Sequence, residues 1–228
     1  MKRAMLVALI AFLGLSSIKS AFSQTDSVPD FKLSVDLYSS YIWRGSELGK
    51  GPAIQPSIKY TVKSLSLMAW GSFDFNGYQE TDLYLSYALP AGFSVGLSDY
   101  YLSNLKYFDC SNVSGSHAFE LSLNFTKGKC SLSANYILNK AGGIGSQGDD
   151  KYFEAAYAFK KFDVFLGAGD GWYTYNPKTN KDQFALCNIG IGTTRKLKIT
   201  ETFVVPIKGQ LIFNPDKEQM FIVAGFNF

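Results

Sequence analysis

The chain contains one histidine and three cysteines in 228 residues, with 22 basic side chains against 19 acidic ones. Each shortage excludes a class of chemistry. A lone His117 cannot supply H-E-x-x-H, and Cys110, Cys130 and Cys187 form no paired C-x-x-C, so no metal set can be assembled. An exported disulfide scaffold would be denser and even in number. No cofactor is expected from this inventory, and no enzyme. Long apolar runs are also missing. The one that exists, Ala4 to Leu15, is shorter than the ~20 residues a helical span needs. It follows Met1-Lys2-Arg3 and precedes Ala21-Phe22-Ser23, so residues 1–23 read as a cleaved signal peptide, and residues 24–228 as one domain. Its removal leaves 19 basic and 19 acidic residues, and a neutral chain gives no reason to expect nucleic acid.

Aromatic residues are abundant, at 16% of the chain, and so is alternation. The last stretch runs Gln219 to Phe228, with Met220, Ile222, Ala224, Phe226 and Phe228 in one apolar row. A period of two over ten residues is a half-buried strand. An aromatic carboxyl terminus that ends inside a strand suits the closing strand of a membrane barrel, which leaves no unpaired edge in lipid. Alternating stretches at 31–44, 53–63, 65–75, 80–89, 92–102, 116–126, 129–139, 151–160, 162–170, 183–193 and 197–213 bring the expected count to twelve. The fold class is therefore all-β, an up-and-down antiparallel transmembrane barrel. In the first stretch Tyr41 and Trp43 share the outward row. Cys130 and Cys187 have the apolar parity of their strands and read as small hydrophobes facing lipid. Phe165, Phe184 and Leu186 break the alternation, and Pro206 suggests a bulge or bend.

The expected connections alternate long and short. The short ones are Lys63-Ser64, Pro90-Ala91, Lys127-Gly128, Lys161 and Thr194-Arg195-Lys196. Bacterial barrels place short turns in the periplasm and long loops outside. Both termini are then periplasmic, in the cell outer membrane. The short ends carry Lys63, Lys127, Lys129, Lys160, Lys161, Arg195, Lys196 and Lys198 without a carboxylate. Glu47, Asp74, Glu80, Asp109, Asp149, Asp150, Asp170, Asp182, Asp216 and Glu218 gather at the long ends. An acidic outer mouth would concentrate cations. Tyr and Trp rows at both ends are expected to anchor the barrel at the interfaces.

Asp36-Leu37-Tyr38-Ser39-Ser40-Tyr41-Ile42-Trp43-Arg44-Gly45, with Pro52-Ala53-Ile54-Gln55-Pro56, resembles the opening of the TorF family of porins. The turn Asn214-Pro215-Asp216-Lys217-Glu218 is similar to that of Bacteroidetes-type members. The resemblance implies a small outer-membrane barrel and supplies no catalytic residues.

Three motifs compete with that reading. Gly143-Ile144-Gly145-Ser146-Gln147-Gly148 matches G-x-G-x-x-G, and Asp149 to Phe162 could pass for the helix after it. The preceding stretch alternates, however, whereas a parallel strand buried on both faces would be continuously apolar. The glycines then read as a flexible loop. His117 beside Ser116 and Glu120 hints at a lipid hydrolase, but alternation sends both neighbours to the opposite face. Asp149-Asp150 could hold calcium loosely, though loop carboxylates are usually solvated.

The inward row is the expected functional surface: Asp36, Tyr38, Arg44, Lys59, Trp70, Asp74, Asp82, Tyr84, Tyr100, Glu120 and Glu154. Twelve strands enclose more space than eight, whose side chains just fill the interior. The expected function is a narrow channel for passive diffusion of small polar or ionic solutes, with loops 103–115 and 171–182 long enough to constrict it. A barrel-embedded hydrolase using His117, a closed structural or adhesion barrel, and a soluble β-sandwich or lipocalin-like binder are the alternatives. Expected partners are outer-membrane lipid and lipopolysaccharide, the barrel assembly machinery, small solutes and further copies of the chain. Phe226 and Phe228 mark the closing strand.

Overall fold

A computed structural model describes residues 29–174 and 183–228. The expected signal segment and Asp182 lie outside the described residues. Twelve strands close into one antiparallel barrel. In chain order these are β1 (Asp30–Tyr38), β4 (Ala53–Val62), β5 (Leu65–Asp74), β6 (Gln79–Ala88), β7 (Phe93–Leu102) and β8 (His117–Lys127). They continue with β9 (Cys130–Ile137), β10 (Lys151–Ala158), β11 (Asp163–Gly169), β12 (Ala185–Lys198), β13 (Val204–Asn214) and β14 (Gln219–Asn227). A separate hairpin of β2 (Tyr41–Trp43) and β3 (Ser46–Leu48) lies between β1 and β4.

Closure is made where β14 meets β1, with Asp36 opposite Asn227 and Tyr38 opposite Gly225. Phe228 completes the seam: its carbonyl accepts from the Val35 amide at 3.2 Å, and its amide donates to the Val35 carbonyl at 3.1 Å. No barrel strand is therefore left as an edge, the condition a strand wall must meet in a medium without water.

Side-chain alternation sorts the two surfaces. Leu33, Leu83, Leu121, Leu132, Met220 and Ile222 are all exposed on the outer wall, Ile222 to 77%. The inward row holds the buried polar groups Gln55, Ser72, Asp82, Glu120, Asn135 and Asn188. In a water-soluble domain those two sets would exchange places.

Several expectations change. The first stretch is two elements rather than one strand. β1 ends at Tyr38, and Tyr41 and Trp43 turn into the barrel on the hairpin instead of facing outward. The turn after β12 is 199–203, where the Ile199 amide donates to the Phe203 carbonyl at 2.9 Å, not Thr194-Arg195-Lys196. This shift puts Glu201 at a short end, 2.7 Å from Lys198, and Asp163 begins a strand at that same end. The short ends are thus not free of carboxylates.

Pro206 sits in unbroken register opposite Lys196. The irregularity falls between Gly167 and Ala168 opposite β12, where Cys187 is the unpaired extra residue. Cys187 is consequently buried rather than lipid-facing, and all three cysteines are free. Phe165 turns inward across Gly190, beside buried Ile212.

The interfacial aromatics also differ from expectation. Trp43, Trp70 and Trp172 all pack against lumen aromatics. The outward aromatics are Tyr and Phe: Tyr60, Tyr87, Phe93, Tyr157 and Phe162 near the short turns, and Phe73, Tyr136 and Phe213 near the long loops.

Candidate functional site

The lumen is shaped by its first long connection. The β2–β3 hairpin turns through Arg44 (φ 49°) and Gly45 (φ 82°), the two left-handed positions that a two-residue hairpin turn requires. Its tip seats against the ends of β12 and β13. The Gly45 carbonyl accepts from Asn214 Nδ2 at 2.9 Å, and Ser46 Oγ from Lys217 Nζ at 2.7 Å. A Cβ on Gly45 would stand 1.9 Å from the Cys187 carbonyl oxygen, so the tip reaches this wall only because residue 45 has no side chain. Burial between the wall and this turn lowers the Lys217 pKa.

Arg44 holds the hairpin in place. Its Nη1 and Nη2 donate to Glu120 Oε2 and Oε1 at 2.5 and 2.8 Å, and Nη1 also donates to the Tyr173 hydroxyl at 2.7 Å. Glu120 receives two further donors, Tyr100 at 2.9 Å and Tyr173 at 3.0 Å. The guanidinium lies over three rings, with centroids at 4.8 Å (Trp43), 4.5 Å (Tyr152) and 5.1 Å (Tyr173). An ion pair that is bidentate, hydrogen-bonded on its remaining lone pairs and flanked by aromatic faces meets the conditions under which a buried pair is tolerated. Tyr173 comes from the turn Gly171–Tyr173, which also folds inward, and burial raises its pKa.

Around this pair the long-loop half of the lumen is filled. Trp43 meets Tyr100 at 5.5 Å, Trp172 at 5.8 Å and Tyr173 at 5.3 Å. Ala141 and Ile144 from the loop after β9 pack on the same cluster. The glycine motif of that loop is therefore packed rather than loose, and Lys151–Ala158 after it is a strand where a dinucleotide site needs a helix.

The inward row contains two neighbouring carboxylates without a cation in any ion pair among the described residues, Glu80 and Asp82. Neutral donors serve them instead: the Tyr78 hydroxyl donates to Glu80 at 2.8 Å, and the Tyr84 hydroxyl to Asp82 at 2.8 Å. On the opposite wall Tyr152 donates to Glu154 at 2.5 Å, and Asn188 Nδ2 reaches both. Asp74 is committed to backbone, accepting from the amides of Lys50, Asn76 and Tyr78 at 2.6 to 2.8 Å. Trp70 stacks edge-on with Tyr41 at 5.5 Å. Asp36 and Lys59 stand on the inner rows of β1 and β4, opposite Gln55 and Lys32 respectively and outside the packed cluster.

Sequence reasoning found the charges of this cluster but not its organisers, Trp43, Trp172, Tyr173 and Gly45. One signal was available. A strand over 31–44 is longer than the ~9–11 residues a membrane strand needs, and the excess is the part that folds in.

Space remains beside the hairpin. A chamber of about 200 Å3 lies between it and the wall of β13, β14, β1 and β4, lined by Tyr38, Ser40, Tyr41, Gln55, Lys208 and Gln210. A larger hollow of about 680 Å3, lined by Leu132, Tyr157, Leu166, Ile189, Leu211 and Phe213, is a groove between outward side chains and no part of the lumen.

Loop 103–116 divides between the two surfaces. Leu105 packs against the lumen cluster, while Tyr107 lies on the outer wall, edge-on against His117 at 4.9 Å. His117 Nδ1 is 2.9 Å from Asp99, and its Nε2 faces the Tyr107 carbonyl. Ser116 Oγ donates to the Lys106 carbonyl at 2.6 Å, so among the described residues no serine hydroxyl meets this histidine. A nucleophile relay needs that contact.

No protein-family model and no curated protein sequence matches the chain. Among solved structures it is similar to substituted variants of the Rh. blastica porin, at 14% identity, TM-score 0.41, 88% of this chain and 99% of that one. It is also similar to the outer membrane protein OprD from Pseudomonas aeruginosa, at 11% identity, TM-score 0.33, 86% of this chain and 63% of that one. At those scores the likeness decides neither family nor function, and the fold class rests on the strand pairing described above. That class is a closed antiparallel barrel with an apolar outer wall and a polar, partly filled lumen.

Proposed function

We propose that this chain is an outer-membrane channel through which small polar or ionic solutes diffuse passively, past a stopper made by its own first long loop. The observation that carries the reading is the polar chamber left beside the β2–β3 hairpin, inside a wall whose exterior is apolar. Polar space enclosed by apolar wall suits a solute route across hydrocarbon. The short-turn end with both termini is assigned to the periplasm, and residues 1–23 to a cleaved signal peptide. Membrane lipid, lipopolysaccharide and the barrel assembly machinery are its proposed surroundings, and the TorF resemblance is kept as the family proposal.

A second reading has its own support. The Arg44–Glu120 pair and the aromatic cluster around it could seal the mouth, leaving a closed structural barrel. Planar-bilayer recording separates the two. The refolded chain is expected to carry small, steady currents, and replacing residues 41–48 by a Gly/Ser linker to raise conductance severalfold. Silence from the intact chain, with currents from the linker variant alone, would establish the closed barrel.

A further inference from the structure

We infer that the chamber beside the hairpin is a solute-binding site, selective for a monosaccharide-sized solute that carries hydroxyl groups and one negative charge. It lies on the passage proposed above and rests on that reading for its use, while its binding chemistry can be measured without any current.

The geometry starts at Gly225. Its Cβ position would meet the Tyr38 ring at 2.2 Å, so Tyr38 lies flat against β14 in place of a side chain there. Asn227 Nδ2 donates to the Tyr38 hydroxyl at 3.1 Å and fixes the ring. The next strand brings Lys208 opposite Gly225, with its ammonium 5.8 Å from the Tyr38 ring centroid. An aromatic ring with a cation over it thus forms one side of the chamber.

Among the described residues, Lys208 is the only charged one in the lining. None of the ion pairs among the described residues includes it. The other lining groups suit a neutral polyhydroxylated body. Gln55, held by its Nε2 donating to Ser72 Oγ at 3.2 Å, and Gln210 present amides that donate and accept. Ile42 and Val223 add apolar surface against which the C–H faces of a sugar ring can rest. The volume of about 200 Å3 corresponds to roughly seven waters at ~30 Å3 each, room for one ring and not two. Asp36 stands one inward position farther toward the short-turn end. It is outside the lining, and it disfavours an anion approaching from that side without occupying the site.

The test uses the refolded full chain in detergent micelles, titrated calorimetrically with sodium glucuronate, with glucose and with sodium chloride as probes. Glucuronate is expected to bind at least tenfold more tightly than glucose, and chloride to give no saturable heat. Lys208→Met keeps the stem over Tyr38 and removes the charge, and should bring glucuronate down to the level of glucose. Lys208→Arg should keep the preference and serves as the folding control. Equal binding of glucuronate and glucose to the wild type, or an undiminished preference in Lys208→Met, overturns the site. Currents without glucuronate binding would refute the site and leave the channel. Binding without currents would refute the channel and leave the site.

Discussion

At the scale of single residues, Arg44 and Glu120 carry the most consequence. Their side chains are 14% and 2% exposed, so removing one leaves the other as an unpaired buried charge. Arg44→Met should lower folding stability by about 3 kcal/mol, the lower range for breaking a buried pair. The double variant Arg44→Met/Glu120→Gln should lose less than the sum of its single changes, because no orphan charge remains. Urea titration of the refolded barrel in lipid vesicles measures both. Asp109 belongs to the same scale. Hydrogen bonds from the Ser111 side chain and backbone and from Ser114 hold its pKa below the ordinary carboxylate value. A lowered folded value means that its contribution to loop 103–116 is present above the usual carboxylate range, ~3.9. It is lost as pH falls through the lowered value. Asp109→Asn should therefore mimic the acid state at neutral pH, seen as faster amide exchange at Ser111 and Ser116.

The element that decides how open the lumen is, the β2–β3 hairpin, was the least legible part of the sequence. Tyr41 and Trp43 continue the alternation of β1 without a break, and periodicity registers alternation but not the direction in which a strand departs. The turn at Arg44-Gly45 carries a hairpin signal in Gly45 alone, because Arg is an uncommon left-handed residue. The wall strands were far easier to read. Stretches such as 80–89 and 116–126 have one face in a uniform apolar environment, so their patterns are nearly perfect. β12 was harder because the bulge at Cys187 resets its parity, and because Arg195 and Lys196 look like a turn while lying inside a strand. For the hairpin itself, Gly45→Ala imposes a left-handed alanine, at a cost of about 1–2 kcal/mol, and drives a methyl group toward the Cys187 carbonyl. The expected outcome is a wall that still closes, with raised and noisier single-channel conductance as the tip leaves its seat. Unchanged conductance in this variant would mean that the tip's docking does not limit passage.

For the whole molecule, strand number and filling are linked. Eight strands enclose a space that side chains can just fill, and twelve leave a surplus. Here the surplus is taken up by the hairpin, the Gly171–Tyr173 turn and the chamber between hairpin and wall. The same closure makes the outer wall almost wholly apolar, and on that wall the membrane assignment depends. Neighbouring residues of β8 test it most directly, since Leu121 points out and Ser122 points in. In lipid vesicles, Leu121→Arg should destabilise the barrel by about 2–4 kcal/mol, the cost of arginine on a lipid face near mid-bilayer. Ser122→Arg should change stability by no more than ~0.5 kcal/mol, as a polar substitution in a wet interior does. If Leu121→Arg proves neutral while Ser122→Arg unfolds the chain, the wall faces water, the interior is a dry core, and this protein is no membrane barrel.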